Sequence, residues 1–259
     1  MKTKFSWIFY CLVSLLLSQS LSAAERFVTN ESNGFVWIQQ GKAYPILVDS
    51  REDKGVVRAV ANLQTDAGKV TGITPEIIYS VAGNRMLIIG SIENSSWIKQ
   101  LLKAGKINAA DLQGKREKYI LQMVKQPMEG VDEAVVIAGS DKRGTIYGIY
   151  ELSQQMGVSP WYFWADVPVE KHDIISIKEG IYTDGEPAVK YRGIFLNDEW
   201  PCLGNWAGDT FGGFNSKFYE TVFELVLRLK GNFMWPAMWN SAFYDDDPMN
   251  GPLADEMGI

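Results

Sequence analysis

KYRGIFLNDEWPCLGNW (Lys190–Trp206) and its continuation KFYETVFELVLRLKGNFMWPAMW (Lys217–Trp239) decide how this chain is read. Tyr191–Leu196 is a short β-rich run that stops at Asn197, Asp198 and Glu199. Lys217–Lys230 carries Phe218, Val222, Leu225, Val226 and Leu229 at three- and four-residue steps, the spacing of one helical face, and Gly231 ends it. Phe233–Met234 opens a second strand. Strand, loop, helix, strand is the repeating unit of a (β/α)8 TIM-type barrel, whose functional residues sit on loops at the C-terminal ends of the strands. Asp198 and Glu199 take that place after the first strand, and Trp235-Pro236-Ala237-Met238-Trp239-Asn240 take it after the second. A complete barrel needs roughly 200 to 250 residues. Residues 188–259 hold only its first units, so the chain is expected to be the N-terminal portion of a longer protein, with the barrel truncated.

Upstream the pattern is that of an α/β domain over residues 25–187, bounded by Gly185-Glu186-Pro187. Phe35–Ile38 and Ala43–Val48 are expected strands joined by the turn Gln39-Gln40-Gly41-Lys42, and Glu76–Val81 is a third. Gly55–Ala67 repeats apolar residues at helical spacing. MLIIG (Met86–Gly90) is apolar throughout, which predicts a strand covered on both faces of a sheet. Ser95 or Ser96 opens a helix to Lys103; Tyr119–Val124 and Ala134–Ala138 are further strands. After VVIAG comes Ser140-Asp141-Lys142-Arg143-Gly144 and a helix over Thr145–Met156. That loop fits an anion-binding turn, but Asp141 as an ordinary helix cap explains the same residues more simply.

The first 24 residues are set apart. Lys2 and Lys4 precede the apolar run Phe5–Leu17, and Ser22-Ala23-Ala24 supplies small residues, the layout of a signal peptide cleaved after Ala24. The expected location is therefore the periplasm or the extracellular space, with no membrane span. Loss of Lys2 and Lys4 takes the formal charge from −6 to −8, which argues against a nucleic-acid partner. Only Cys202 remains after cleavage, so no internal disulfide is expected. His172 is the sole histidine, which disfavours a zinc site or a histidine-based triad; no metal or cofactor is expected.

Chemistry then falls to carboxylates and aromatics. Asp198 and Glu199 are the strongest candidates by position, against the plainer reading that they cap the next loop. Asp245, Asp246 and Asp247 lack calcium-loop spacing and read as a solvated loop. Nine tryptophans, several clustered (Trp161 and Trp164, Trp200 and Trp206, Trp235 and Trp239), fit either core or sugar-stacking faces. An acidic, exported, barrel-like chain with these residues suits glycoside hydrolysis, which pairs a protonated carboxyl with an ionised one.

GSDKRGTIYGIYELSQQMGVSPWYFWADVPV, KYRGIFLNDEWP, GGFNSKFYETVFELVLRLKGNFMWPAMW and NGPLADEMGI resemble glycoside hydrolase family 115, the bacterial xylan α-1,2-glucuronidases. The N-terminal α/β domain is also similar to accessory domains of family 67 α-glucuronidases and family 20 hexosaminidases. The resemblance implies inverting removal of glucuronic acid or its 4-O-methyl form from glucuronoxylan. Inverting enzymes hold their two carboxyls roughly 6.5–9.5 Å apart. Asp198 and Glu199 are adjacent, so neither supplies that pair with the other; the general acid is expected beyond Ile259. The resemblance makes Asp198 or Glu199 bind substrate or orient water, with Trp239 and Asn240 lining the uronic-acid pocket. One departure is that no basic residue lies in either strand-end loop to meet the substrate carboxylate, and Arg192 lies inside the first strand. The expected partner is a xylan-derived polysaccharide or oligosaccharide, and a homodimer is left open. By itself the chain is expected to have no turnover and to expose the apolar face of Lys217–Lys230. Two competing readings are a non-catalytic carbohydrate-binding protein and a related barrel enzyme such as a hexosaminidase.

Overall fold

The computed structural model describes residues 26–197 and 201–259. The leader segment, Asp198, Glu199 and Trp200 lie outside the described residues.

Two sheets build the N-terminal part. A four-stranded antiparallel sheet runs in the order β1 (Val28–Thr29), β9 (Ile174–Ile177), β2 (Phe35–Gln39), β3 (Lys42–Ala43). A six-stranded sheet runs β10 (Ile181–Tyr182), β7 (Tyr119–Met128), β8 (Val131–Gly139), β6 (Arg85–Ser91), β4 (Ile46–Val48), β5 (Ile77–Ile78). Within it β8, β6, β4 and β5 are parallel; β7 runs the other way, and β10, antiparallel to β7, shares the direction of β8. The apolar run of β6 behaves as its composition predicts. Leu87 and Ile89 face one core beneath α1 (Lys54–Thr71) and α3 (Lys142–Gln155), while Met86 and Ile88 face a second beneath α2 (Ser96–Lys103). All four are fully buried.

Two expected strands need correction. Ala43–Val48 is not one strand: Lys42–Ala43 closes a hairpin on β2, whereas Ile46–Val48 enters the other sheet. Pro45 stands at the break, where a residue without an N–H cannot continue a ladder. Glu76–Val81 shrinks to Ile77–Ile78, because only its first half reaches β4. Helix α1 runs longer than its apolar spacing indicated. Asp53 caps its start by accepting from Gly55 N, and Gly72, at φ 75°, ends it in the left-handed region that glycine enters freely.

The Ser140–Gly144 loop is a cap. Asp141 accepts from Gly144 N (2.7 Å) through one carboxylate oxygen and from Glu117 N (2.7 Å) through the other. Asp141→Ala is therefore expected to cost about 1–2 kcal/mol, the upper part of the capping range, as a fall in the urea midpoint at unchanged slope.

The barrel-like part begins with β11 (Gly193–Phe195) and β12 (Phe233–Trp235), which pair in parallel in the register Gly193↔Phe233, Ile194↔Met234, Phe195↔Trp235. Between them lie α4 (Cys202–Phe211), which the sequence left as loop, and α5 (Ser216–Arg228). Short α6 (Phe243–Asp246) and α7 (Asn250–Met257) follow. Gly193 is required where it stands, since a Cβ there would lie 1.7 Å from Phe233 O.

The expected exposure of the Lys217–Lys230 face does not occur except at Leu229, 42% exposed at its end. Phe218, Tyr219, Val222, Phe223 and Val226 are all buried in one core with α1, α3 and the N-terminal sheets. What is exposed is the strand pair instead: Phe195, Phe233 and Trp235 show 53%, 47% and 53% of their surface. In a strand alternate side chains take opposite faces, so Met234 packs on α5 while its neighbours point to the open side.

Candidate functional site

The site predicted from sequence lies where β11 and β12 end. Their parallel register brings the two C-terminal ends side by side, and Leu196 N donates to Trp235 O at 2.9 Å. Both loops therefore leave from one edge, as the barrel rule requires. Asp198 and Glu199, next on the first loop, lie outside the described residues. Trp239 and Asn240 follow β12 on the second loop and are exposed, Trp239 at 62%; Asn240 takes φ 56°, a left-handed turn that asparagine tolerates.

Sequence reading placed Trp235 at this edge but missed its partner Phe195. Phe195 and Trp235 stand opposite each other with ring centroids 5.5 Å apart, edge to face. Alternation along the strands was the available signal: counting outward from buried Met234, Trp235 shares the open face with Phe233. Such a ring pair presents apolar faces, with one indole N–H as donor.

Arg192 cannot serve as the missing anion partner here. It lies just before β11, at the opposite end of the strand from the loops. There its guanidinium donates to Glu117 (2.7 Å), to Lys230 O (2.9 Å) and to Val189 O (2.8 Å). The aspartate run divides by role. Asp245 and Asp246 are exposed on α6, while Asp247 accepts from Ser216 N (2.8 Å) and Met249 N (2.8 Å). These backbone hydrogen bonds, first of all that from Ser216, hold the Asp247 carboxyl below its ordinary value. His172 sits beside Glu170 at 3.4 Å and Asn30 at 3.5 Å, far in sequence from the strand ends. Among the described residues no three His, Cys, Asp or Glu side chains gather as they would around a metal ion.

The tryptophan clusters resolve into two kinds. Trp164 and Trp206 join Phe211 and Phe218 in a packed aromatic group, with Trp164 Nε1 donating to Thr221 O (3.2 Å). Trp235 and Trp239 stand open at the strand ends. Open cavities of about 640 and 690 Å³ lie on the N-terminal part, the first lined by Glu52, Lys54, Arg58 and Tyr79, the second by Gln39, Lys42, Tyr44 and Arg85. Neither includes a residue of the strand ends.

An α/β domain leading into parallel barrel-type strands, with aromatic residues at their C-terminal ends, is the fold of the barrel glycosidases at its opening units. Residues 184–259 match the glycosyl hydrolase family 115 model. Among solved structures, a family 115 4-O-methyl-α-glucuronidase with specificity for decorated arabinogalactans superposes with a TM-score of 0.73 at 31% identity. The match covers 87% of this chain and 29% of that enzyme, so the chain spans under a third of its relative's length. A chitobiase from Flavobacterium johnsoniae (TM-score 0.49, 11% identity, 90% of this chain and 32% of that one) is a weaker likeness. So is a family 20 β-N-acetylhexosaminidase from Streptomyces coelicolor A3(2) (0.45, 15%, 81% and 32%), and neither adds to the assignment. No curated protein sequence is significantly similar.

Proposed function

We propose that this chain forms the N-terminal part of an inverting α-glucuronidase that removes glucuronic acid, or its 4-O-methyl form, from glucuronoxylan. The observation that carries this reading is the parallel β11–β12 pair, which sends two adjacent loops from one edge inside the segment that matches the family 115 model. Asp198 and Glu199 form one wall of the site, binding substrate or orienting the attacking water, and Trp239 and Asn240 line the opposite loop. The general acid comes from beyond these strands, as the carboxyl separation for inversion demands. The chain alone then has no turnover. Residues 1–24 direct export, with cleavage after Ala24, so the enzyme meets its polysaccharide outside the cytoplasm.

The test is uronic acid release from glucuronoxylan by the full-length enzyme. Asp198→Asn and Glu199→Gln are each made; at least one is expected to lower kcat/KM by about a hundredfold or more. Undiminished rates in both would remove these residues from the site. A second reading concerns the polymer. The 31% identical relative has specificity for decorated arabinogalactans, so glucuronidated arabinogalactan is the alternative substrate. Parallel assays on the two polysaccharides decide between them by the larger kcat/KM.

A further inference from the structure

We propose that Glu117, in the N-terminal domain, is a positioning residue for the strand ends. One buried carboxylate sets the register of β11 against β12 and holds both to the N-terminal sheet. The consequence for a substrate site rests on the reading above; the register claim does not.

The Glu117 side chain is completely buried. Its carboxylate accepts from Arg192 (2.7 Å), from Asn232 Nδ2 (2.7 Å) and from Arg143 Nε (2.6 Å). Arg192 directly precedes β11 and Asn232 directly precedes β12, so each strand offers one donor. The two also bind each other directly. Arg192 N donates to Asn232 Oδ1 (3.0 Å), and Asn232 N donates to Arg192 O (2.8 Å). Arg192 and Asn232 thus tie the two chains together immediately below Gly193↔Phe233.

A slip of one residue in β12 would set Gly231 or Phe233 against the carboxylate, and in β11 Gly193 or Tyr191. Glycine and phenylalanine carry no side-chain donor, and tyrosine offers one hydroxyl in place of a charged fork. Each strand has only three residues in the ladder, so its own hydrogen bonds define register weakly. A slip would turn Phe195 or Trp235 to the other face and move one loop about 3.3 Å along the other. The chemistry at one end of the pair therefore controls the geometry at the opposite end.

Backbone strain at Glu117 points the same way. Its φ is 54°, a conformation costly for a residue with a Cβ and natural to glycine. Glycine would relax the backbone and delete the carboxylate. Burial pushes the Glu117 carboxyl up, but hydrogen bonds from Asn232 and Arg192, with the charges of Arg143 and Arg192, outweigh it and keep the group below its ordinary value. The other groups at the junction are Asp141, which accepts from Glu117 N, and Tyr147, whose hydroxyl accepts from Arg192 (3.1 Å) and donates to Gly231 O (2.9 Å).

Segment-resolved hydrogen exchange on the 259-residue chain tests this without any substrate, so a failed glucuronidase assay leaves the result standing. Glu117→Gln is expected to speed exchange in residues 192–196 and 233–237 by about ten- to a hundredfold, as the loss of charge-assisted hydrogen bonds allows, with 85–91 and 131–139 unchanged. Asn232→Asp, which sets two carboxylates face to face, is expected to do the same. The double variant Glu117→Gln with Asn232→Asp restores an amide–carboxylate pair but leaves Lys190 O without its donor from Asn232 Nδ2 (2.7 Å), so exchange should be slower than in Asn232→Asp without returning fully to the parent. If Glu117→Gln fails to fold, Arg192→Lys keeps the charge, removes the fork and should loosen the same two segments. Uniform acceleration in every segment, additive damage in the double variant, or no local effect in Arg192→Lys would each overturn the proposal.

Discussion

Arg228→Ala is expected to destabilise the chain by about 3–5 kcal/mol, enough to bring a domain of ordinary stability close to unfolding. Arg228, in the last turn of α5, is 3% exposed, and its guanidinium lies 2.8 Å from Asp66, 1% exposed, on α1. It also donates to Glu224 one turn back (2.7 Å) and lies against the rings of Tyr150 (4.5 Å) and Tyr162 (5.1 Å). Burial opposes the Arg228 charge, and the carboxylates of Asp66 and Glu224 outweigh it, holding the guanidinium above its ordinary value. Among the described residues, truncation leaves the buried Asp66 carboxylate with Lys69, 3.6 Å away, as its one remaining paired cation. That is the costly half of a broken buried pair. The double variant Arg228→Met with Asp66→Leu removes both charges and fills the space with apolar atoms, so it should lose far less than the single change. Urea unfolding of the parent, Arg228→Met, Asp66→Leu and the double variant gives the coupling directly. Equal losses in the single and double variants would mean that packing of the arginine stem, and not its charge, holds α5 to α1.

This pair shows where sequence reading stops. Lys217–Lys230 announced itself as a helix with an apolar face, and α5 occupies Ser216–Arg228. Its partner could not be read, because the helix that covers it lies about 150 residues earlier and periodicity carries no address. Hence the face expected to be open is buried, and the open apolar surface belongs to β11 and β12. The strand MLIIG was legible because burial on both faces leaves no polar residue in the run. Helix α4 was not: CLGNWAGDTF has three-residue apolar spacing from Leu203 to Trp206, broken by two glycines that lower helical propensity. At the site, the edge on which the loops sit was predictable from barrel geometry, and Trp239 and Asn240 do follow β12 there. The role of Arg192 was not predictable, since its position in sequence resembles that of a strand residue and only the structure shows Glu117 beside it.

The N-terminal domain and the barrel-like strands therefore share one core and one polar junction. Tyr162 OH donates to Glu224 (3.1 Å), and Lys230 pairs with Glu151 (2.6 Å) and Asp184. Contacts of this density make separate unfolding of the two parts unfavourable, so a single cooperative transition is the expected behaviour. An accessory domain tied by a flexible linker would have left these positions exposed.

Phe218→Ala is expected to cost about 3–5 kcal/mol, and the reason it should fall toward the upper end is the rigidity of its surroundings. Phe218 is fully buried, with ring centroids of Phe214 and Tyr219 both 5.1 Å away, Phe211 at 5.8 Å, Trp164 at 6.1 Å and Trp206 at 6.5 Å. These neighbours come from α4, α5, the short segment joining them and the loop 159–166, and Trp164 is anchored by its hydrogen bond to Thr221 O. Large rings held from three directions cannot close over a vacated ring, so the cavity term remains. Phe218→Leu keeps most of the volume and should lose roughly 1–2 kcal/mol. The near-ultraviolet circular dichroism of Trp164 and Trp206 provides a local readout, expected to fall in the alanine variant before the far-ultraviolet signal changes. Because α4 carries Trp206 and leads directly from the first strand-end loop, the same variant should loosen that loop while leaving the N-terminal sheet protected. A loss under about 1 kcal/mol would show instead that the cluster collapses into the space, and that the aromatic group packs as adaptable core.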